Sequence, residues 1–391
     1  MRVAIVHSFY SSDVPSGENL AVLRQVDALT EAGHDVHLVA RYTDELSGSP
    51  LYQVTSALHV ATGYGGDPSD ELRAIAPDVV HVHNLFPNFG TKWLANWDGP
   101  LVATLHNFRP LCANGLLYRD GGVCTACPDG STLHSLQHKC YRESAVATLP
   151  LAISLRGGVT RNHLLARADK VIVLSERARL LYEWYGLPSP KLVVVPNGLN
   201  IPAKDGVIPE NERWVAVGRF TPEKGLLDLV SQWPGDRWLD VIGAGPELGL
   251  IETVAPHRVR IVPPLPNSDL LEMLPTYSGL ILPSKWFEGL PTVIVEALGS
   301  AVPVAARSGN SASDVLEAYE PSWVYDGSTP SLEAALSAIS TSGLSARLRA
   351  RELFEREFMM ATWIDRLELA YTGAGAPSAV EHSPRPSKST P

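Results

Sequence analysis

Twice along this chain, short runs of Val, Ile, Leu and Ala alternate with segments of helical spacing, and that repetition constrains the fold more than any other feature. The first round places strands at residues 3–7, 36–40, 79–83, 101–106, 171–174 and 192–195. Between the first two, Leu20, Leu23, Val26, Ala28 and Leu29 recur at helical spacing over 18–32, and Gly33 stands where a helix would stop. The second round gives strands at 214–217, 239–242, 260–262, 280–282 and 302–305. Strands apolar along their whole length need cover on both faces, which helices flanking a parallel sheet supply. Pro196-Asn197-Gly198 marks a turn, and 200–211, with Pro202, Gly206 and Pro209, reads as a linker. The sequence therefore predicts two doubly wound, Rossmann-like α/β domains, 1–199 and 200–358, facing a central cleft. Residues 344–358 and 362–371 have helical spacing. A C-terminal helix over 359–372 is placed to return to the first domain, and 373–391, rich in Gly, Ala, Pro and Ser, is expected to be a disordered tail.

Charge narrows the partners. The 391 residues carry a formal net charge of −10, so nucleic acid and anionic lipid are repelled in bulk, although a cleft can still focus a local positive field. The opening MRVAIVHSFY soon meets Asp13 and Glu18 and reads as a buried strand, not a leader. The longest apolar stretch, 145–155, is too short for a membrane span of about 20 residues. No integral membrane segment is expected, and the location expected is cytoplasmic, with peripheral membrane contact left open.

In open α/β sheets ligands sit beyond the carboxyl ends of the strands, so the loops leaving those ends matter most. After the first strand comes YSSDVPSG, ending at Gly17, where a helix begins and an anion could approach backbone amides. After the first strand of the second domain comes GRFTPEKG. Gly218 frees the backbone there, and Arg219 and Lys224 place two cations where a diphosphate or a departing phosphate could be stabilised. The other reading is a solvated turn partly neutralised by Glu223. A third loop, PSKWFEGLP, carries Glu288, with Glu296 eight positions on in the apolar run VIVEALG. If the helix extended back to Glu288, the two carboxylates would lie within roughly 80° of each other on it. Carboxylates accept from sugar hydroxyls, and Gly289 and Leu290 offer backbone amides. The alternative is an ion pair inside the domain. His106 ends the fourth strand, and His83 lies in HVHN; a lone histidine at a strand end is often a satisfied structural residue.

GRFTPEKG followed by PSKWFEGLPTVIVEAL resembles the donor-binding half of glycosyltransferase family four, and DVVHVHN, ATLHN, VIVLSE and VVVPNGL resemble that family's first domain. The resemblance spans nearly the whole chain apart from the tail. It implies the GT-B fold and a retaining transferase that uses a nucleotide-diphosphate sugar and needs no catalytic divalent metal. It also implies roles for individual residues: Arg219 and Lys224 on the diphosphate, Glu296 on the ribose hydroxyls, and Glu288 with Gly289 and Leu290 against the transferred sugar and phosphate. His106 would face the sugar, and Gly17 would approach the phosphate. The chain departs from the family pattern at Ser16-Gly17, where two glycines are common, at Pro263-Pro264, where a glycine near the base is common, and in SGNSASDVLE, which lacks a double glycine followed by glutamate.

Residues 108–142 break the alternation and hold all four cysteines, Cys112, Cys124, Cys127 and Cys140, in a C-x11-C-x2-C-x12-C pattern. Such clustering suits a structural zinc held by four thiolates, with His134 or His138 able to replace one. Free buried thiols, or a redox disulfide between Cys124 and Cys127, are the other readings.

The expected chemistry is transfer of a hexose-type sugar from a nucleotide-diphosphate sugar to a hydroxyl of a lipid-linked, polysaccharide or small-metabolite acceptor. The rivals are a sugar-nucleotide epimerase of the same fold and a non-catalytic nucleotide-sugar-binding protein.

Overall fold

The computed structural model describes residues 1–10, 17–202 and 212–374. The loop residues 11–16, most of the expected linker and the tail from 375 on lie outside the described residues.

The first domain holds β1 (Arg2–Phe9), β2 (Asp35–Tyr42), β3 (Val79–Asn84) and β4 (Leu101–Leu105). A small antiparallel pair, β5 (Tyr118–Arg119) and β6 (Gly122–Val123), follows inside the cysteine-bearing segment. β7 (Lys170–Val173) and β8 (Leu192–Val194) then complete a parallel six-stranded sheet in the order β2-β1-β3-β4-β7-β8. The second domain contains β9 (Arg213–Val217), β10 (Trp238–Ile242), β11 (Val259–Val262), β12 (Gly279–Leu282), β13 (Val304–Arg307) and β14 (Val324–Tyr325). Their order is β11-β10-β9-β12-β13-β14, again all parallel.

Each sheet reverses its winding direction once, between β1 and β3 and between β9 and β12. At such switch points the loops diverge and leave a crevice beyond the strand ends. The loops that leave β9 and β12 are GRFTPEKG and PSKWFEGLP, so the topology itself makes the two charged loops neighbours.

Three expectations shift. The strand expected at 302–305 sits two residues later, because Val302 turns back to donate its N–H to Ala297 O (2.8 Å) while the Pro303 carbonyl accepts from Leu280. The two-residue β14 follows Trp323, which is fully buried in the second core, and was not anticipated. The helix carrying Glu296 runs only over Thr292–Gly299. Pro291 disfavours helical geometry at the residue before it, so Glu288 stays in the loop and the helix-wheel relation between the two carboxylates does not hold.

Two apolar clusters cover the first sheet. One joins Val80, Val82 and Leu105 to Phe108 and Cys112, which anchors the cysteine segment in the domain core. The other brings Trp363, Leu367 and Tyr371, from the helix Met360–Ala374, against Val3, Ile5 and Val102. The last helix thus crosses back to the first domain. Where the chain leaves that domain and where it returns, Leu199 and Met359 form a parallel bridge, and Leu199 N–H donates to Phe358 O (2.9 Å).

Trp363 is only 3% exposed in this returning helix. Trp363→Ala is expected to destabilise the first domain by about 3–5 kcal/mol, read as a fall in the first transition of a denaturant titration.

Candidate functional site

The carboxyl ends of β9 and β12 define the site. Gly218 follows β9 directly, and its carbonyl would lie 1.9 Å from a Cβ placed at Gly243. A Cβ at Gly245 would fall 2.4 Å from Phe220 O. The Gly243-Ala244-Gly245 turn after β10 therefore packs backbone to backbone against the GRF segment. Sequence reading passed over this pair, although a G-x-G directly after a strand was the available signal.

Lys224 closes a short turn, Pro222–Lys224, and Gly225 takes a left-handed φ of 68°. A side chain there would collide with Pro283 O, at 2.3 Å, so this glycine lets the two loops touch. Lys224 Nζ then donates to Glu288 Oε1 at 2.8 Å. The same carboxylate oxygen accepts from Ser284 Oγ and from Trp286 Nε1 (3.0 Å), and Glu288 is buried. Glu288 is thus the centre of an internal knot that positions Lys224. Arg219 behaves differently: its side chain is 67% exposed and only loosely paired with Glu223 at 3.4 Å, so it is available to an incoming anion. Lys285 lies nearby, tied to Asp228 at 2.9 Å.

Glu296 is buried and accepts from Asn267 Nδ2 at 2.9 Å. Burial raises its pKa, and the Asn267 hydrogen bond and the charge of Arg24 oppose that rise. Arg24 belongs to the first domain and donates to Asn267 Oδ1 at 3.5 Å, so Glu296 also faces the cleft.

The first domain meets this surface closely. A Cβ at Gly289 would stand 3.1 Å from the His106 carbonyl, and one at Gly17 would stand 3.6 Å from Thr292 Oγ1. Ser311 donates to the Glu288 carbonyl, Ser311 Oγ and Ser175 Oγ share a hydrogen bond of 3.0 Å, and Arg177 Nε donates to Asp314 at 2.8 Å. In SGNSASDVLE the Asn310 side chain caps the helix Ser311–Tyr319 and also donates to Ser284 O, so this segment supports the Glu288 loop from behind.

His106 is not a lone histidine. His83 Nδ1 and His106 Nε2 share a hydrogen bond of 2.8 Å, and His83 stacks on both His106 and His81. His81 in turn bonds Thr104 Oγ1 (2.7 Å) and Tyr371 OH (2.8 Å), the latter from the returning helix. Burial, with a smaller contribution from the His7 charge, lowers His106 to about 3, and burial lowers His81 to about 3 and His7 to about 4. These rings are therefore neutral near pH 7 and can donate or accept a hydrogen bond without carrying charge. Glu18, at the start of the helix Gly17–Glu31, was also missed. Its carboxyl is pushed up to about 7 by burial, against the pull of Arg109 and a hydrogen bond from Asn107 (3.2 Å). The signal was an acid directly after the glycine that opens a helix.

All four cysteines are free thiols and line one small cavity together with Asn114 and His134. Among the described residues no group of three or more His, Cys, Asp or Glu is arranged to hold a metal ion. No helix among them is long and apolar enough to cross a membrane.

Comparison with known proteins adds an independent line. The family described as Glycosyltransferase Family 4 matches residues 15–201, and the one described as Glycosyl transferases group 1 matches residues 200–351. An exopolysaccharide phosphotransferase of Streptomyces coelicolor is 30% identical over 323 residues, covering 75% of this chain but only 32% of that protein. The chain therefore spans about a third of that relative's length. A phosphatidyl-myo-inositol mannosyltransferase of Mycolicibacterium smegmatis is 24% identical over 336 residues, covering 78% of this chain and 76% of that protein. Sucrose-phosphate synthase from Thermosynechococcus elongatus superposes with a TM-score of 0.66 at 17% identity, covering 95% of this chain and 98% of that chain. HepE of Anabaena, solved with UDP-glucose, gives 0.60 at 17% identity, covering 95% of this chain and 100% of that one. At such identities the likeness shows the fold.

The histidine stack sets a pH dependence of stability. His7, His81 and His106 have folded pKa values below their unfolded value of about 6.5, so the unfolded chain binds more protons between that value and the folded ones. Their stabilisation is complete above pH 6.5 or so and is lost as pH falls towards 4 and 3. Each adds a slope of up to about 1.4 kcal/mol per pH unit in that window. Glu18 and Arg109 also face the site; a carboxyl raised to about 7 acts in the opposite direction between roughly pH 4.5 and 7. Melting temperature is expected to fall on acidification from pH 6.5 to 5, and His81→Gln to flatten that fall. A pH-independent melting temperature would contradict the neutral stack.

Proposed function

We infer that this chain, which belongs to the GT-B glycosyltransferases of the family 4 type, transfers a hexose-type sugar from a nucleotide-diphosphate sugar to an acceptor hydroxyl with retention of anomeric configuration. The observation that carries this reading is the meeting, at one switch point, of exposed Arg219, anchored Lys224 and buried Glu288 with the His106 end of β4.

The donor diphosphate would lie against Arg219, Lys224 and the backbone at Gly218, with the amides of Gly289 and Leu290 and the helix start at Gly17 closing on phosphate and sugar oxygens. Glu296 and Asn267 would take the ribose hydroxyls. HepE, bound to UDP-glucose, supports the donor class. His106, held neutral, would meet a sugar hydroxyl. Glu288 already accepts from Lys224, Ser284 and Trp286, which leaves it as the holder of Lys224 and not as a nucleophile. Retention without a covalent intermediate then calls for attack on the face the phosphate leaves. The acceptor oxygen bonds to the anomeric carbon, the bond from that carbon to the phosphate oxygen breaks, and the acceptor proton passes to that oxygen. Arg219 and Lys224 stabilise the developing negative charge, the role a divalent cation fills elsewhere.

Lys224→Ala is expected to lower kcat by roughly 10²–10³ while Glu296→Ala mainly raises the donor KM. Circular dichroism on the variants separates this from unfolding. Turnover in Lys224→Ala equal to that of the parent protein removes the proposed role. Product NMR is expected to show the donor's anomeric configuration, and EDTA to leave the rate unchanged.

A structural zinc in the cysteine cavity is a separate proposal: the four thiols line one cavity, although among the described residues they are not arranged there as a metal-holding group. Elemental analysis is expected to give stoichiometric zinc that shields the thiols from alkylation. Metal-free protein with four reactive thiols ends it.

A further inference from the structure

A cavity of the first domain lies beyond β3 and β4, where the helices Tyr52–Thr62 and Ala145–Ser154 end, with His83 and His106 at its inner wall. Its lining includes Lys92, Arg109, Arg156 and Arg161 and, among the described residues, not one Asp or Glu. In a chain of net charge −10 that is a strong local bias. None of the four has an ion-pair partner within 4.0 Å among the described residues, and the nearby Glu18, hydrogen-bonded to the lining Asn107, acts electrostatically on Arg109. Arg109 lies 4.2 Å over the Phe86 ring, and its Nε is buried with no hydrogen-bond partner. His83 Nε2, on the same cavity, is buried and unpartnered too. Buried donors and acceptors left open in one pocket ask for a ligand that completes them.

A second feature runs into the same cavity. Leu51, Val54 and Leu58 are exposed and recur at i, i+3 and i+7 along the helix Tyr52–Thr62 and the residue before it, which places them in one stripe. On the helix Ala145–Ser154, Val146 is 82% exposed, Leu149 is exposed, and the next position in that row is Ile153, which lines the cavity. The two helices pack side by side. An apolar path thus leads over the surface to a cationic pocket.

We propose that this pocket takes the acceptor, and that the acceptor is an amphiphilic anion: a phosphate-type group held by Arg156 and Arg161, with Lys92 and Arg109 nearby, and an apolar tail along the Leu58 and Leu149 stripes. The proposal rests on the transferase reading for the word acceptor, but its test needs no turnover. The phosphate group would set the acceptor's register, so that one of its hydroxyls reaches His106 and the donor cleft.

Octyl phosphate, inorganic phosphate and octyl β-glucoside, each below any micelle-forming concentration, separate the parts of the proposal by thermal shift and calorimetry. Octyl phosphate is expected to bind and to raise the melting temperature. Its affinity should fall roughly tenfold or more in Arg156→Ala/Arg161→Ala, given the strength of charge-assisted hydrogen bonds. Both arginines are exposed, so this variant should keep its fold, which its own melting curve checks. In Lys224→Ala the same affinity should persist, placing the probe outside the donor cleft. Equal binding of octyl β-glucoside would overturn the anion, and equal binding of inorganic phosphate would overturn the tail. Absent binding, or an unchanged affinity in the double variant, would overturn the site itself. Loss of turnover in Lys224→Ala without any octyl phosphate binding would leave the transferase reading standing and sink only this one.

Discussion

The buried carboxylate of Glu288 is the point on which both halves of the cleft depend. Its side chain gathers Lys224, Ser284 and Trp286, and its carbonyl takes the hydroxyl of Ser311. Ser311 in turn reaches Ser175 of the first domain. A buried carboxylate is tolerated only when hydrogen bonds and a close counter-charge compensate it, and here the loops that supply them are the ones that leave the switch point of the second sheet. One cation is thereby held rigidly and its neighbour Arg219 is left free. Preorganisation of this kind suits charge that appears only during reaction, because fixed dipoles need not reorient at that moment.

The parallel sheets explain why these groups meet at all. β9 and β12 are adjacent in the second sheet although β10 and β11 separate them in sequence, and their loops diverge from a shared crevice. The first sheet offers the corresponding crevice between β1 and β3, from which Gly17 and the His83 region arise. The returning helix adds a constraint that neither sheet supplies. Tyr371 bonds the innermost histidine of the stack, and the same helix is joined to the domain crossing by the Leu199–Met359 bridge. The chain crossing between the domains is therefore continuous with a helix that also supports the cleft's inner wall.

Much of this was legible in the chain. Continuous apolar runs such as those of β1, β3 and β12 declare a two-sided parallel sheet, because period and composition agree locally with the final environment. The charged loops were legible because Gly, Arg, Lys and Glu sit directly after such runs. What stayed hidden depended on contacts distant in sequence. Gly243 and Gly245 matter through backbone approach to Gly218 and Phe220; the G-x-G after the strand marks a tight turn but does not say which backbone it meets. Glu18 looked like an ordinary first-turn acid until Asn107 and Arg109 closed over it. The relation imagined between Glu288 and Glu296 failed for a local reason that was in view, since Pro291 ends the helix before it can reach Glu288.

Net charge does not set the field inside a cavity, and the reason is one of range. At physiological ionic strength the Debye length is about 8 Å, so acids on the far side of a domain scarcely affect an exposed cation. What an incoming anion meets at the first-domain cavity is set by the few groups nearby: four cations, neutral histidines and the carboxyl of Glu18 beside Arg109, while the lining itself holds, among the described residues, no acid. The neutrality of the histidines follows from burial. A ring forced to be uncharged can lie beside arginines without adding to their mutual repulsion, and still offers nitrogen atoms for hydrogen bonds. The same burial that strips charge from the inner wall therefore leaves the arginines at the rim as the source of electrostatic selectivity, and the cavity can favour an anion in a protein that repels anions on average.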